Sequence, residues 1–134
     1  CYPALMTAGA FEEESGYVAM QRLLQQTPQP DAVFASNDQM AIGAMAAVRE
    51  RGLRVPDDIA IVGFDDIEPA RYVQPPLTTV QQNMLGQGQA AVHLLVARIH
   101  GSEEEIETTV MPTKLVIRRS CGCTVPDSSN EPLG

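Results

Sequence analysis

Two short, uninterrupted apolar runs, each ending in a polar cluster, constrain this chain more than any other feature. Ala32-Val33-Phe34-Ala35 is bounded by turn residues, and Ile59-Ala60-Ile61-Val62 repeats the pattern before Gly63-Phe64-Asp65-Asp66. A strand with one wet face alternates apolar and polar residues, so continuous runs of this length predict strands buried on both faces. Between them, Gln39 to Arg51 is rich in Ala and Met and reads as a helix, with Ser36-Asn37-Asp38 as N-cap candidates and Gly52 at the C′ position. An earlier helix is predicted where Glu12-Glu13-Glu14 place negative charge at a helix start. Tyr17, Met20, Leu23 and Leu24 follow at helical spacing, and Pro28 and Pro30 end it. Connections this short suit right-handed βαβ crossovers, so the expected class is α/β, a parallel sheet flanked by helices.

The pattern changes after Asp66. Pro75 to Val80 is extended, and a long helix is predicted from Asn83 to His100, its apolar stripe at Leu85, Val92, Leu95, Val96 and Ile99. Ala4 to Ala8, Ile106 to Met111 and Leu115 to Arg119 are further strand candidates. Ser102 to Glu105 reads as a solvated loop, and Thr124 to Gly134 as a tail or linker. The opening Cys1-Tyr2-Pro3, without an initiator Met or signal sequence, predicts a fragment of something longer.

Composition narrows the function classes. Nine Lys and Arg against seventeen Asp and Glu leave a net charge of −8, which argues against direct nucleic-acid binding by this stretch. No apolar run is long enough to span a membrane. Three cysteines, two of them at Cys121 and Cys123, do not make a disulfide framework, and a reducing cytoplasm is expected.

In an open α/β sheet, ligands collect beyond the carboxyl ends of the strands. Two polar clusters fall there, Ser36-Asn37-Asp38 and Asp65-Asp66, and Phe11 stands just before the first helix, where it could reach the same rim. Asp carboxylates accept hydrogen bonds from hydroxyls, an Asn amide both accepts and donates, and an aromatic ring stacks on a sugar's apolar face. The plainer alternative is that Asn37 or Asp38 only caps a helix and Asp65-Asp66 only turns the chain.

These residues also carry a family resemblance. Pro30-Asp31-Ala32-Val33-Phe34-Ala35-Ser36-Asn37-Asp38-Gln39-Met40-Ala41-Ile42-Gly43 resembles the signature of the LacI/GalR family of sugar-responsive repressors. Gly52 to Asp66, Pro75 to Val80 and Leu115 to Ser120 match in order, so the resemblance runs from about Gly9 to Ser120. It implies a type I periplasmic-binding-protein-like effector domain, two α/β lobes closing on a small molecule, here a sugar or related metabolite. Residues 1–80 would belong to the C-terminal lobe, 81–110 would cross to the N-terminal lobe, 111–123 would return, and 124–134 would be a flexible tail. The family's ligand contacts would fall on Phe11 as the stacking aromatic, on Asn37 and Asp65 as hydroxyl partners, and on Met84 and Gln87 of the crossing segment. Members often add an Arg clamp upstream of Gly9, whereas no Arg precedes Arg22 here, and Met84 is a position where members can carry an aromatic. A homodimer is implied, through Met40, Ala41, Ile42 and Met45 with Tyr72 and Val73. Apolar surface on more than one side of that helix supports it. Operator DNA would be reached only through an N-terminal helix-turn-helix outside this chain.

No cofactor, metal or catalytic set is expected. A zinc site at Cys121-Gly122-Cys123 would have only the distant Cys1, His93 and His100 to complete it, so these read as surface thiols. Asp65-Asp66 has no partner His, Lys or nucleophile at a recognisable spacing, and Gly86-Gln87-Gly88-Gln89 is misplaced for a dinucleotide loop. The alternatives to a regulator's effector domain are a sensor domain feeding a signalling output module and a solute-binding protein for sugar uptake. An enzyme on the same fold ranks last.

Overall fold

A computed structural model describes residues 5–27, 29–101 and 108–123. Four strands, β1 (Ala32–Phe34), β2 (Ala60–Asp65), β3 (Thr78–Gln81) and β4 (Lys114–Val116), form one sheet in the order β1-β2-β3-β4. The first three are parallel, with Phe34 level with Val62 and Val62 level with Thr78. The fourth runs antiparallel, Val80 facing Leu115, so the sheet is mixed at one edge. Helices α1 (Glu13–Leu23), α2 (Asp38–Glu50) and α3 (Met84–Ile99) complete the α/β class expected from the sequence.

The helix ends are set by short-range chemistry. Asn37 caps α2 by accepting the Met40 amide at 2.9 Å. At the other end, Gly52 has φ +73, its amide bonds the Arg49 carbonyl, and the Leu53 amide bonds that of Val48. That pair of bonds is the Schellman arrangement, which needs a left-handed residue at this point. Asn83 caps α3 through the Gly86 amide.

The core lies between α1, α2 and the sheet: Met20, Leu23, Leu24, Met40, Val48, Ile59, Ile61 and Leu77 are all buried. Helices α1 and α2 cross at glycines. A Cβ on Gly16 would stand 2.2 Å from the Met40 carbonyl oxygen, and one on Gly43 would stand 1.9 Å from that of Glu13. No side chain fits there. Tyr17 adds a polar clasp, its hydroxyl donating to the Glu50 carboxylate and accepting from the Gln21 amide.

Several expectations are corrected by tertiary placement. Among the described residues β1 stands at the edge of the sheet rather than buried on both faces, with Val33 half-buried, Ala32 exposed and Phe34 64% exposed. Met40, Ala41 and Met45, expected at a dimer surface, are buried within this chain, because α1 and the sheet already cover those sides of α2. Ile42 and Val73 are partly buried against the same core, and Tyr72 is exposed. Residues 6–10 and 108–111 form no strand, and the last strand among the described residues is Lys114–Val116, shorter than expected. The loop Ser102 to Glu105 and the tail from Thr124 lie outside the described residues, as do Ile106 and Glu107 of the expected strand.

Candidate functional site

The parallel register brings the two polar clusters to one sheet edge. Asn37 and Asp65 each follow by three residues a pair of strand residues, Phe34 and Val62, that lie level with each other. The backbone there is unusual: Asp65 has φ 111, Asp66 has φ 54, and Phe11 has φ 63. Non-glycine residues held in this region cost free energy that the surrounding contacts must offset, and such residues concentrate at ligand sites.

The strained pair divides its work. Asp66 points inward, its side chain 2% exposed, and accepts from the Arg118 guanidinium and, at 2.8 Å, from the Gln81 amide. Arg118 is held in turn by the Leu77 carbonyl at 2.8 Å. Asp66 is therefore committed to structure. Asp65 borders a cleft of about 560 Å³, lined also by Asp66, Gln82, Met84, Thr113 and Lys114. Its carboxylate accepts the Gln82 amide at 2.6 Å, and Gln82 in turn accepts from Gln87 at 3.3 Å. The cleft offers the Asp65 carboxylate as an acceptor beside Asp66, amides that donate and accept, one cation and an apolar wall, a set suited to a small hydroxylated ligand.

Beneath it sits Asp38, which has no exposed surface. Its carboxylate accepts the Thr79 hydroxyl at 2.6 Å and the Ile67 amide at 2.9 Å, and the same Thr79 oxygen accepts the Asp66 amide at 3.3 Å. Burial pushes the Asp38 carboxyl above the ordinary aspartate range. Its two donors oppose the rise, and the charges of Asp65 and Asp66 add to it. Gly63 is required beside it, because a Cβ there would lie 2.2 Å from an Asp38 oxygen. Asp38 thus ties the start of α2 to β3 and to the Asp65-Asp66 turn.

The expected site residues fall into two groups. Phe11 and Asn37 come together, the Asn37 side chain donating to the Phe11 carbonyl at 2.9 Å, and Phe11 is 63% exposed. Asp65, Met84 and Gln87 form the second group, linked through Gln82 and the cleft. Asn37 both caps α2 and straps Phe11, so the capping alternative describes much of its bonding. Sequence reasoning did not single out Gln82 or Lys114. Gln82 follows directly on β3 and carries no motif. Lys114 opens a three-residue strand whose partner is set by the return of the chain. Among the described residues no cluster of His, Cys, Asp and Glu could hold a metal ion, and no helix is long and apolar enough to cross a membrane.

Comparison with known proteins places this geometry. The family model of the periplasmic binding protein-like domain matches residues 1–121. The HTH-type transcriptional repressor PurR of Haemophilus influenzae is 45% identical over 122 residues, covering 88% of this chain and 36% of that protein. Among solved structures, a complex of the transcriptional regulator CelR with cellobiose superposes with a TM-score of 0.85 at 40% identity, over 90% of this chain and 37% of that one. The lac repressor dimer bound to operator and an anti-inducer gives 0.77 at 37% identity, over 84% and 34%. The chain thus spans little more than a third of the length of these relatives.

Proposed function

Since this chain belongs to the periplasmic binding protein-like family, in the part that matches the effector domains of LacI-type regulators, we propose that it binds a small hydroxylated effector for a ligand-controlled transcription regulator. The observation that carries this reading is the left-handed Asp65, held open to a cleft at the carboxyl end of a central parallel strand and braced from below by Asp38 and Asp66. Asp65 is the hydroxyl acceptor in this reading, Asn37 and Gln87 its polar neighbours, Phe11 the stacking ring and Met84 the apolar wall. A sugar is the favoured ligand class, in keeping with the cellobiose held by the CelR structure.

Residues 1–80 and 111–123 are assigned to one lobe, and 81–110 to a segment that crosses to a second. The support is α3, in which no residue is buried and Leu85, Val92, Leu95 and Ile99 are each at least 60% exposed. Effector binding would then act by favouring one lobe closure over another, and only differential affinity for the two closures shifts that equilibrium. With a net charge of −8, this chain leaves DNA contact to a helix-turn-helix elsewhere in a full-length protein. Self-association is assigned to the exposed Tyr72 with Val73 and Ile42. Calorimetry on the full-length protein with cellobiose and a panel of monosaccharides tests the reading. Asp65→Ala should weaken the sugar that binds by about 1.5–3 kcal/mol, the loss expected for a hydrogen bond to a charged group. Unchanged affinity would overturn it.

A further inference from the structure

Near the end of the described chain, two thiols share a turn that the effector site does not use. Cys121 is half-buried, Cys123 is exposed, and both are free. Gly122 between them has φ +77, and its amide bonds the Arg119 carbonyl at 3.3 Å. A side chain there would meet only Pro56, at an ordinary 3.6 Å, so backbone conformation rather than space calls for glycine. The residues before the turn are pinned. Ser120 donates its hydroxyl to the Ile61 carbonyl at 2.6 Å and accepts the Thr78 amide at 2.8 Å. The Thr78 oxygen accepts the Arg118 amide at 2.8 Å, and the Cys121 thiol donates to the Arg118 carbonyl at 3.7 Å.

We propose that Cys121 and Cys123 form a dithiol–disulfide pair that reacts reversibly with small disulfides of the glutathione class. Part burial by itself would push the Cys121 thiol up, but the Thr78 hydroxyl and the neighbouring Cys123 outweigh it and hold the thiol below its ordinary range. Cys123 is shifted the opposite way, chiefly by Cys121. Cys121 is therefore the attacking thiolate. It attacks one sulfur of oxidised glutathione, the glutathione disulfide bond breaks, and one glutathione leaves as thiolate and takes up a proton. Cys123, deprotonated in its turn, attacks the Cys121 sulfur of the mixed disulfide and releases the second glutathione. Two electrons and two protons pass from the pair to the oxidant. A disulfide across a single glycine closes a very short loop, so it constrains the unfolded chain little and is readily reduced. It belongs to redox chemistry rather than to structural stapling.

The test uses the chain with Cys1→Ser, so that only this pair remains, in glutathione buffers of graded potential with intact-mass and peptide-mapping readouts. The expected product is a monomer lacking two hydrogens and restored by dithiothreitol. In that background, Cys123→Ser should accumulate a glutathione adduct on Cys121, and Cys121→Ser should react about tenfold more slowly than Cys123→Ser. Stable adducts or intermolecular disulfides with no internal disulfide would overturn the proposal. So would a Cys123→Ser variant whose product and rate match those of the intact pair. None of these readouts depends on the effector.

Discussion

Asp38 shows how a single side chain can connect a fold to its site. It is fully buried, bonded to Thr79 and Ile67, and placed under the Asp65-Asp66 turn. Its folded-state pKa is raised, chiefly by burial. Folding therefore favours the protonated form. The stability it contributes is fully present below the ordinary aspartate range and is lost as pH rises through the folded-state value. Urea midpoints measured across that window should fall with pH on this account, and Asp38→Asn should remove that part of the slope. Identical slopes in the two proteins would refute the assignment. Local sequence identified Ser36-Asn37-Asp38 as a capping cluster, but only the arrival of Thr79 and Ile67 from elsewhere in the chain decides that Asn37 caps and Asp38 is buried. Likewise Asp65 and Asp66 are equivalent by residue type. Arg118, distant in sequence, pins the Asp66 carboxylate, whereas Asp65 is held by Gln82 at the cleft that both residues line.

At the scale of elements, α2 and its contacts illustrate two different demands for glycine. Gly52 has a positive φ and open space around it, so Gly52→Ala should cost about 1 kcal/mol from backbone conformation alone. Gly43 stands against backbone of α1 that cannot yield without moving a helix. Gly43→Ala should therefore cost more than about 3 kcal/mol, beyond the usual range for overpacking. Denaturant unfolding of both variants checks the contrast, and equal losses would show that the crossing relaxes. The end signal at Gly52 was legible because a C′ glycine acts through bonds to its own helix. The role of Gly43 was not, since it lies in the partner helix. Helix α3 gives the converse case. Its stripe is exposed in this chain, so Leu95→Lys should change the chain's stability by less than about 0.5 kcal/mol. In a full-length protein with a second lobe the same substitution should be clearly destabilising.

At the scale of the whole molecule, two surfaces determine how this lobe meets others. The α3 amides should exchange with solvent faster than those of Ile61 and Val62 in the isolated chain, because no residue of α3 is buried. Equal protection would remove the support for a crossing segment. Self-association should be sensitive to Tyr72→Asp in sedimentation of the full-length protein, since Tyr72 is 73% exposed beside Glu68, Pro69 and Val73. An unaltered oligomeric state would count against that surface. Met45→Glu cannot serve as the probe, because it would place a charge in the core and unfold the chain instead.

The α/β class, the order of the main strands and helices, and the end of α2 at Gly52 follow from the sequence alone, because each depends on residues within a few positions of one another. The motif order from Pro30 to Ser120 pointed to the same family that the matched relatives represent. Tertiary structure decided the rest. It placed β1 at the edge of the sheet among the described residues, reversed β4 against β3 and buried Met40 and Met45 under α1. It also added Gln82 and Lys114 to the cleft of Asp65. Periodicity reports how a side chain is oriented on its own element. Burial and partnership depend on which element arrives from elsewhere in the chain, and no local pattern records that arrival.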